Sequence, residues 1–141
     1  MTTIVADARS GEMVSDSKCT YGCTWSPITK IYRVGDELIG CAGDVKQWAQ
    51  FLKWHKGGRR GARPKGDEYT VLILGPSGLR QWDSNGCEMP IERGFTAIGS
   101  GGHAAIAALM CGKTAAEAVV IATQIDPNSG GDLQRHTLKE M

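Results

Sequence analysis

Short strand-like segments joined by tight turns dominate this sequence, and they restrict the chain to a small set of folds. Runs of apolar and β-branched residues end at Gly, Pro, Asn or Asp. Turn signals such as Ser10-Gly11 and Asn85-Gly86 favour hairpins, in which neighbouring strands are antiparallel. Helix-like segments are fewer: one follows Asp44, and a pair covers residues 103–110 and 115–125. Because hairpins outnumber crossover connections, we predict an α+β layered sandwich of mainly antiparallel sheets with helices outside.

Length and charge limit the possible organisation and partners. The 141 residues predict a single domain, 1–141, and the net charge of +1 gives no strong field for nucleic acid. Segment 20–27 is interpreted as a loop, and so is the arginine-rich segment 57–66, which lacks interleaved aromatic residues. No membrane span or signal peptide is predicted. Five cysteines without an export signal are interpreted as reduced thiols, so we expect a cytoplasmic protein with neither nucleic-acid nor membrane partners.

The amino terminus combines a small second residue with a strand-like run. Removal of Met1 would place a hydroxyl and a free α-amine together on Thr2. Residues 2–9 are predicted to form a buried strand, which would hold Thr2 rigidly. An α-amine has a pKa of about 8, so it can act as a base near neutral pH. A threonine hydroxyl activated by its own amine is a recognised nucleophile, although a strand that simply begins with Thr is the alternative.

Several residues at the ends of predicted elements can converge on the start of the first strand. This set consists of Asp16, Lys30, Gly43, Ser100, Asp126 and Ser129. A cation would favour the neutral amine and the deprotonated hydroxyl, a carboxylate would hold that cation, and a backbone N–H would stabilise an oxyanion. Each residue also has an ordinary interpretation: Asp16 as a turn former, Lys30 as a surface charge and Ser129 as a loop residue.

Other chemistries have weaker signals in the sequence. Residues 99–104 (Gly-Ser-Gly-Gly-His-Ala) lie between a strand and a helix, as in a dinucleotide-binding turn, but no βαβ unit follows them. His55, His103 and His136 lack metal-ligand spacing. The sequence contains neither a nucleophile elbow nor a Walker loop, so no organic cofactor is predicted.

Five segments resemble one known family when they are taken in chain order. These segments are Thr2–Ala6, Asp16, 29–33 (Thr-Lys-Ile-Tyr-Arg), 40–44 (Gly-Cys-Ala-Gly-Asp) and 97–102 (Ala-Ile-Gly-Ser-Gly-Gly). Together they resemble the proteasome-type peptidases of the N-terminal-nucleophile hydrolases, most closely the bacterial HslV peptidase subunit. The resemblance implies a four-layer αββα sandwich and threonine-type peptide hydrolysis inside a ring-shaped chamber.

The same resemblance implies catalytic roles for four residues. Thr2 would be the nucleophile and its own amine the base. Lys30 would lower the pKa of that amine, with the carboxylate of Asp16 beside it. Gly43 would provide the amide of the oxyanion hole.

The resemblance also assigns residues around the amine. Ser100 matches the serine of the family's Gly-Ser-Gly turn. Asp126 and Ser129 look like the pair that hydrogen-bonds the amine of the nucleophile in proteasome β-subunits. No cofactor is required, but the resemblance implies a possible monovalent cation such as sodium. The backbone carbonyls at the matching positions belong to Ile125, Asn128 and Gly131.

The implied partners are peptide or unfolded protein substrates, further copies of the chain in homo-oligomeric rings, and an ATP-dependent unfoldase. In the bacterial subunit, the unfoldase docks on the carboxy-terminal tail, and Arg135–Met141 resembles that tail. Two features depart from the family: the first hairpin is short before Asp16, and no helix is predicted between residues 56 and 69. One outer helix layer is therefore expected to be shortened.

Three hypotheses follow from the sequence. The first is a threonine peptidase, active once Met1 is removed, because a retained Met1 would leave the nitrogen of Thr2 in a peptide bond. The second is a small-molecule amidase on the same fold. The third is a non-catalytic assembly or adaptor protein.

Overall fold

A computed structural model of the protein describes residues 2–139. Within this range the chain forms eleven strands and three helices. The strands are β1 (Ile4–Asp7), β2 (Glu12–Ser15), β3 (Lys18–Tyr21), β4 (Thr24–Pro27), β5 (Ile31–Val34), β6 (Glu37–Gly43), β7 (Tyr69–Gly75), β8 (Gly78–Asp83), β9 (Glu88–Pro90), β10 (Phe95–Ile98) and β11 (Gln134–Thr137). The helices are α1 (Val45–Lys56), α2 (Gly102–Met110) and α3 (Ala115–Ile125).

The strands form three sheets over the described residues. The first sheet has the order β10-β1-β2-β11, the second sheet has the order β5-β6-β7-β8-β9, and β3 pairs with β4 in a separate hairpin. Every strand pair in residues 2–139 is antiparallel. The prediction of a mixed fold with antiparallel sheets is therefore confirmed.

Alternating side chains of β1 separate two parts of the core. Ile4 and Ala6 face the second sheet and pack with Leu38 and Leu72, whereas Val5 faces α2 and α3. All five side chains are fully buried. Since a buried branched side chain contributes about 2 kcal/mol, this strand is held rigidly from both faces.

A single helix, α1, covers the other face of the second sheet in the described chain. Phe51 and Leu52 of α1 pack against Val71 and Ile73 of β7. Segment 57–68 follows α1 without forming a helix, as expected from the sequence.

Arg59 ties segment 57–68 to the second sheet. Its guanidinium forms two hydrogen bonds with the carboxylate of Glu88, at 3.0 and 2.8 Å. The same group lies over the rings of Trp54 and Trp82. This loop is therefore anchored by a bidentate ion pair and by aromatic contacts in place of helix packing.

The prediction of a loop over 20–27 is wrong. Residues Lys18–Tyr21 and Thr24–Pro27 form the hairpin β3–β4, with Gly22 in the left-handed conformation at its turn. The Gly and Pro residues suggested a loop, but the β-prone Thr, Tyr and Trp residues between them form strands. None of the helices in residues 2–139 is long and apolar enough to cross a membrane.

Candidate active site

The ends of several strands meet at one edge of the two sheets. Thr2 precedes β1, Asp16 follows β2 and Ser100 follows β10. Because β1 is antiparallel to both β2 and β10, its start lies beside their ends. Lys30 precedes β5 and Gly43 ends β6, the antiparallel partner of β5, at the same edge. The topology thus brings together five of the residues predicted from sequence.

Lys30 and Asp16 form a buried ion pair. The Lys30 Nζ lies 2.8 Å from Asp16 Oδ1, and the side chains are 3% and 0% exposed. The interpretation of Lys30 as a surface charge is therefore wrong. Lys30 Nζ also donates a hydrogen bond to the carbonyl of Lys18 at 2.7 Å, and both acceptors help to hold the ammonium in place.

Backbone amides hold the carboxylate of Asp16. Its Oδ1 accepts a hydrogen bond from Thr3 N at 3.0 Å. Its Oδ2 accepts from Gly130 N at 2.9 Å and from Lys18 N at 3.3 Å. Asp16 therefore connects β1, the start of β3 and the loop after α3, a larger role than that of the turn former considered from sequence.

Burial lowers the pKa of the Lys30 ammonium from its ordinary value, because a charged group is poorly solvated inside the protein. The hydrogen bond and charge of Asp16 act in the opposite direction and only partly offset this effect. Lys30 therefore loses its proton more readily than an exposed lysine does.

A chain of polar contacts surrounds the nitrogen of Thr2. This nitrogen donates to Ser100 Oγ at 3.3 Å, and Ser100 Oγ donates to Asp126 Oδ2 at 2.5 Å. Ser129 Oγ donates to the same carboxylate oxygen at 2.7 Å. Ser100 is thus the residue that touches the nitrogen, while Asp126 lies behind it.

Thr3 is a residue of this chain that sequence reasoning missed. Its Oγ1 lies 2.7 Å from Ser129 Oγ, and the residue is fully buried. Because Ser129 gives its only hydroxyl proton to Asp126, the hydroxyl of Thr3 donates to Ser129. A polar residue inside a predicted buried strand was the available signal, since buried hydroxyls need partners.

Asp126 is held in its ionised form. Burial alone would raise its pKa, but hydrogen bonds from Ser100, Ser129 and the amide of Asn128 together lower that pKa below its ordinary value. The carboxylate therefore stays charged at neutral pH and keeps accepting both serine protons.

Thr2 and Gly43 line two adjoining cavities. One is a solvent-open cavity of about 420 Å³ that also includes Ser100. The other is a small recess of about 20 Å³ that reaches Lys30 and Cys19. A ligand in the larger cavity would meet Thr2 at the entrance to the recess that contains the lysine.

The backbone at Gly43 has a conformation that requires glycine. Its φ is +101°, and a Cβ there would collide with the carbonyl of Glu68. Gly43 pairs with Tyr69, and the next amide, that of Asp44, donates to Glu68 O at 2.7 Å. Because amides alternate in direction along an antiparallel strand, the N–H of Gly43 points away from β7 and toward the side of Lys30.

No protein-family model matches this sequence, and no curated protein matches it. Solved structures do match. Eukaryotic HslV from Trypanosoma brucei is 23% identical and covers 96% of this chain and 98% of its own, with a TM-score of 0.78. BPH from Thiobacillus denitrificans, solved alone and in complex with epoxomicin, is 18% identical and covers 99% of this chain and all of its own, with a TM-score of 0.73.

The chain has the proteasome-type fold of the N-terminal-nucleophile hydrolases. The agreement extends over nearly the whole length of both chains.

In this proteasome-type fold, the loop after α3 contains the carbonyls that the family resemblance assigns to a monovalent cation. These are the carbonyl oxygens of Ile125, Asn128 and Gly131. Within residues 2–139, none of them accepts a hydrogen bond from a side chain. None accepts one from a backbone N–H either, apart from the bonds inside helices and strands. Their lone pairs are thus available, and neutral oxygen donors suit a hard cation. The ammonium of Lys18 donates to Pro127 O at 3.1 Å in the same loop. The Lys18 ammonium thus supplies a positive charge in the loop of these carbonyls.

Two sequence predictions lie partly or wholly beyond the described part of the chain. Met1 lies outside it, and so do Glu140 and Met141 of the tail assigned to an unfoldase. The earlier part of that tail, Gln134–Thr137, forms β11 and pairs with β2 at the edge of the first sheet.

Proposed function

We propose that the protein is a threonine-type peptidase with Thr2 as its nucleophile. The hydroxyl of Thr2 attacks a peptide carbonyl and gives its proton to the α-amine of the same residue. The amine passes this proton to the departing amine of the substrate, which leaves an ester on Thr2 Oγ. Water then hydrolyses the ester, and the hydroxyl regains its proton. The proposal depends above all on the position of Thr2 between an open cavity and the recess of a buried lysine.

The ion pair would supply the electrostatics of this reaction. The cation of Lys30 stabilises a developing negative charge on Thr2 Oγ and disfavours protonation of the adjacent amine. Asp16 keeps the cation in place at 2.8 Å. The N–H of Gly43, which points toward the same side, is a donor for the oxyanion of the tetrahedral intermediate.

Ser100 and Asp126 would orient the amine. Asp126 accepts the hydroxyl proton of Ser100, so the oxygen of Ser100 presents a lone pair to the nitrogen of Thr2. If one N–H of the free amine points at Ser100, the lone pair of that nitrogen points away from Ser100. The hydroxyl of Thr2 is then the nearest proton source for this lone pair. This orientation requires the removal of Met1, because an amide nitrogen is not basic.

The proposed function also involves a layered architecture and an assembly of several chains. We infer that α2 and α3, the first sheet, the second sheet and α1 stack as four layers, since three separate core clusters lie between them. We also infer a cytoplasmic homo-oligomeric ring that accepts peptides or unfolded proteins, with an ATP-dependent unfoldase as partner. A sodium ion at the carbonyls of Ile125, Asn128 and Gly131 would order the loop that contains Asp126 and Ser129.

Two variants of Thr2 test the mechanism. Thr2→Val removes the hydroxyl at nearly constant volume and should lower hydrolysis of short fluorogenic peptides by about a thousandfold or more. Thr2→Ser keeps both the hydroxyl and the amine and should retain activity. Intact mass verifies the loss of Met1 in each protein, and circular dichroism verifies folding. Full activity in a folded Thr2→Val protein would show that another group is the nucleophile.

A small-molecule amidase on the same fold is the second candidate. The cavity of about 420 Å³ beside Thr2 lies within the range of small-ligand sites. Such an enzyme would use the same residues but would cleave small amides in preference to peptides. Retention of Met1 in protein made without a tag would instead favour the non-catalytic adaptor.

A further inference from the structure

The larger cavity beside Thr2 has one wall that is rich in carboxylates. Asp67 and Glu68 precede β7, Asp83 ends β8, and all three line the cavity with Thr2. The described residues that line this cavity include no lysine or arginine. The space in front of the proposed nucleophile is therefore negatively charged on one side.

Strand register directs two of these acids toward Thr2. In the second sheet, Leu72 of β7 and Leu79 of β8 face the first sheet. Side chains alternate along a strand, so Glu68 and Asp83 lie on the same face as those leucines. On the first sheet, Ile4 faces the second sheet, and the same alternation places Thr2 on that face. Thr2 and the two acids thus occupy facing walls at one open end.

Backbone contacts fix the position of this wall. Glu68 N donates to the side-chain oxygen of Gln47 at 2.9 Å, and Glu68 O accepts from Asp44 N at 2.7 Å. Asp83 is paired with Thr70 in the ladder between β7 and β8. Glu68 therefore lies directly beside Gly43, the residue proposed to stabilise the oxyanion.

The charges of this wall are not balanced within the described chain. Elsewhere in residues 2–139, Glu37 and Glu88 pair with arginines, but Asp67, Glu68 and Asp83 form no ion pair. In residues 2–139, the carboxylate of Asp83 accepts one hydrogen bond, from the neutral side-chain amide of Gln81. The guanidinium of Arg63 lies close by, against Gly86, yet pairs with none of the three acids.

A metal ion does not explain the cluster. No group of three His, Cys, Asp or Glu residues in the described part of the chain is arranged to hold one. The acids are instead spread along the wall of a cavity large enough for a side chain. This spacing suits an extended organic cation such as guanidinium or ammonium on a flexible stem.

We propose that this cavity selects peptide segments with a lysine or arginine side chain next to the scissile bond, which Glu68 and Asp83 recognise. The inference rests on the proposed peptidase function and adds its substrate class. A basic side chain gains an attraction that a neutral one lacks, and an acidic side chain is repelled. The preference should weaken in high salt because the wall is open to solvent.

Binding to a hydrolysis-deficient protein tests the inference without requiring catalysis. Three labelled peptides of equal length would carry Arg, Leu or Glu at one central position, in an otherwise neutral sequence. Fluorescence anisotropy with Thr2→Val protein should show the Arg peptide binding about tenfold more tightly than the Glu peptide in low salt. Adding Glu68→Gln and Asp83→Asn should reduce this ratio to less than about threefold.

Asp36→Asn is the matched control, because it removes an exposed carboxylate from the turn between β5 and β6. It should leave the ratio unchanged. Equal binding of the Arg and Glu peptides, no binding of any peptide, or a preference that survives the double substitution would each overturn the inference.

Hydrolysis of the same peptides by the unsubstituted protein separates the two proposals. Selective binding without hydrolysis would support recognition by the acidic wall (Asp67, Glu68 and Asp83) and contradict the proposed peptidase function. Hydrolysis of all three peptides at equal rates would support the peptidase and contradict the wall.

Discussion

The interior of the protein disfavours the charge of Lys30, and Asp16 and the carbonyl of Lys18 stabilise it. Asp16 in turn accepts hydrogen bonds from three backbone amides, but removal of Lys30 would take away the counter-ion of its buried carboxylate. We expect Lys30→Met to lower the free energy of unfolding by about 3 to 5 kcal/mol. Urea denaturation measures this change.

The double substitution Lys30→Met with Asp16→Asn provides the second half of this test. It removes both charges, so it should cost less than the sum of the two single substitutions. Lys46→Met, at an exposed site on α1, should change stability little. Additive costs for Lys30 and Asp16 would show that the 2.8 Å contact does not couple them.

Asp126 makes the stability of the site depend on pH. Its folded-state pKa is lowered, so between that value and the unfolded value the unfolded chain binds more protons. The stabilisation is complete above the unfolded pKa of 3.8 and is lost as the pH falls through the folded value. Asp126→Asn should cost about 1.5 to 3 kcal/mol at neutral pH, the usual contribution of hydrogen bonds to a charged group.

Denaturation curves at a series of acidic pH values measure this effect. The difference in unfolding free energy between the unsubstituted protein and Asp126→Asn should shrink as the pH falls from about 5 to about 2. Ser100→Ala and Ser129→Ala remove two donors to the carboxylate and should weaken the same dependence. A difference that stays constant with pH would contradict the hydrogen-bonded carboxylate.

The turn between β10 and α2 holds the residue proposed as nucleophile. Gly99 has a φ of +93°, and a Cβ there would collide with the carbonyl of Thr2. The carbonyl of Thr2 also accepts a hydrogen bond from Gly101 N at 3.2 Å. We expect Gly99→Ala to displace Thr2 and to lower kcat/KM for peptides by about a hundredfold.

Gly35→Ala is the matched control for this turn. Gly35 has a φ of +62° in the hairpin between β5 and β6, and a Cβ there would meet nothing within 4 Å. Both variants incur backbone strain of about 1 kcal/mol or more, but only Gly99→Ala disturbs Thr2. Equal activity losses in the two would attribute the effect to general destabilisation.

Local signals in the sequence predicted those elements whose formation depends on residues close together in the chain. Thr114 and Glu117 form the capping box that their spacing indicates, and α3 covers 115–125 as predicted. The hairpin β3–β4 was missed because its turn residues resemble those of an irregular loop. Where a segment has both strand and turn signals, local preference does not decide between the two structures.

Sequence reasoning named most residues of the candidate site but not the contacts between them. The end of each predicted element indicated Asp16, Lys30 and Ser100, but the contact of Ser100 with Thr2 joins residues 98 positions apart. The acidic wall was not predicted at all. Its orientation depends on the register between β7 and β8, and a one-residue shift in that register would turn the acids to the other face.

Several large apolar side chains are exposed in the described chain. Tyr21 and Trp25 of the hairpin β3–β4 are 60% and 51% exposed, and Ile125 at the end of α3 is 67% exposed. Large exposed apolar patches are typical of protein contact surfaces. They are consistent with the proposed ring, in which neighbouring chains would cover them.

Light scattering of the purified protein tests the assembly. A ring peptidase should have the mass of on the order of twelve chains or more, each chain being 15.1 kDa. Tyr21→Ser with Trp25→Ser should lower this mass if the hairpin contacts neighbours, whereas Met110→Ser, at another exposed apolar residue, serves as the comparison. A single-chain mass with full peptide hydrolysis would contradict the ring and retain the catalytic site. A single-chain mass with cleavage of small amides alone would favour the amidase, because a chamber is unnecessary for substrates that diffuse freely into an open cavity.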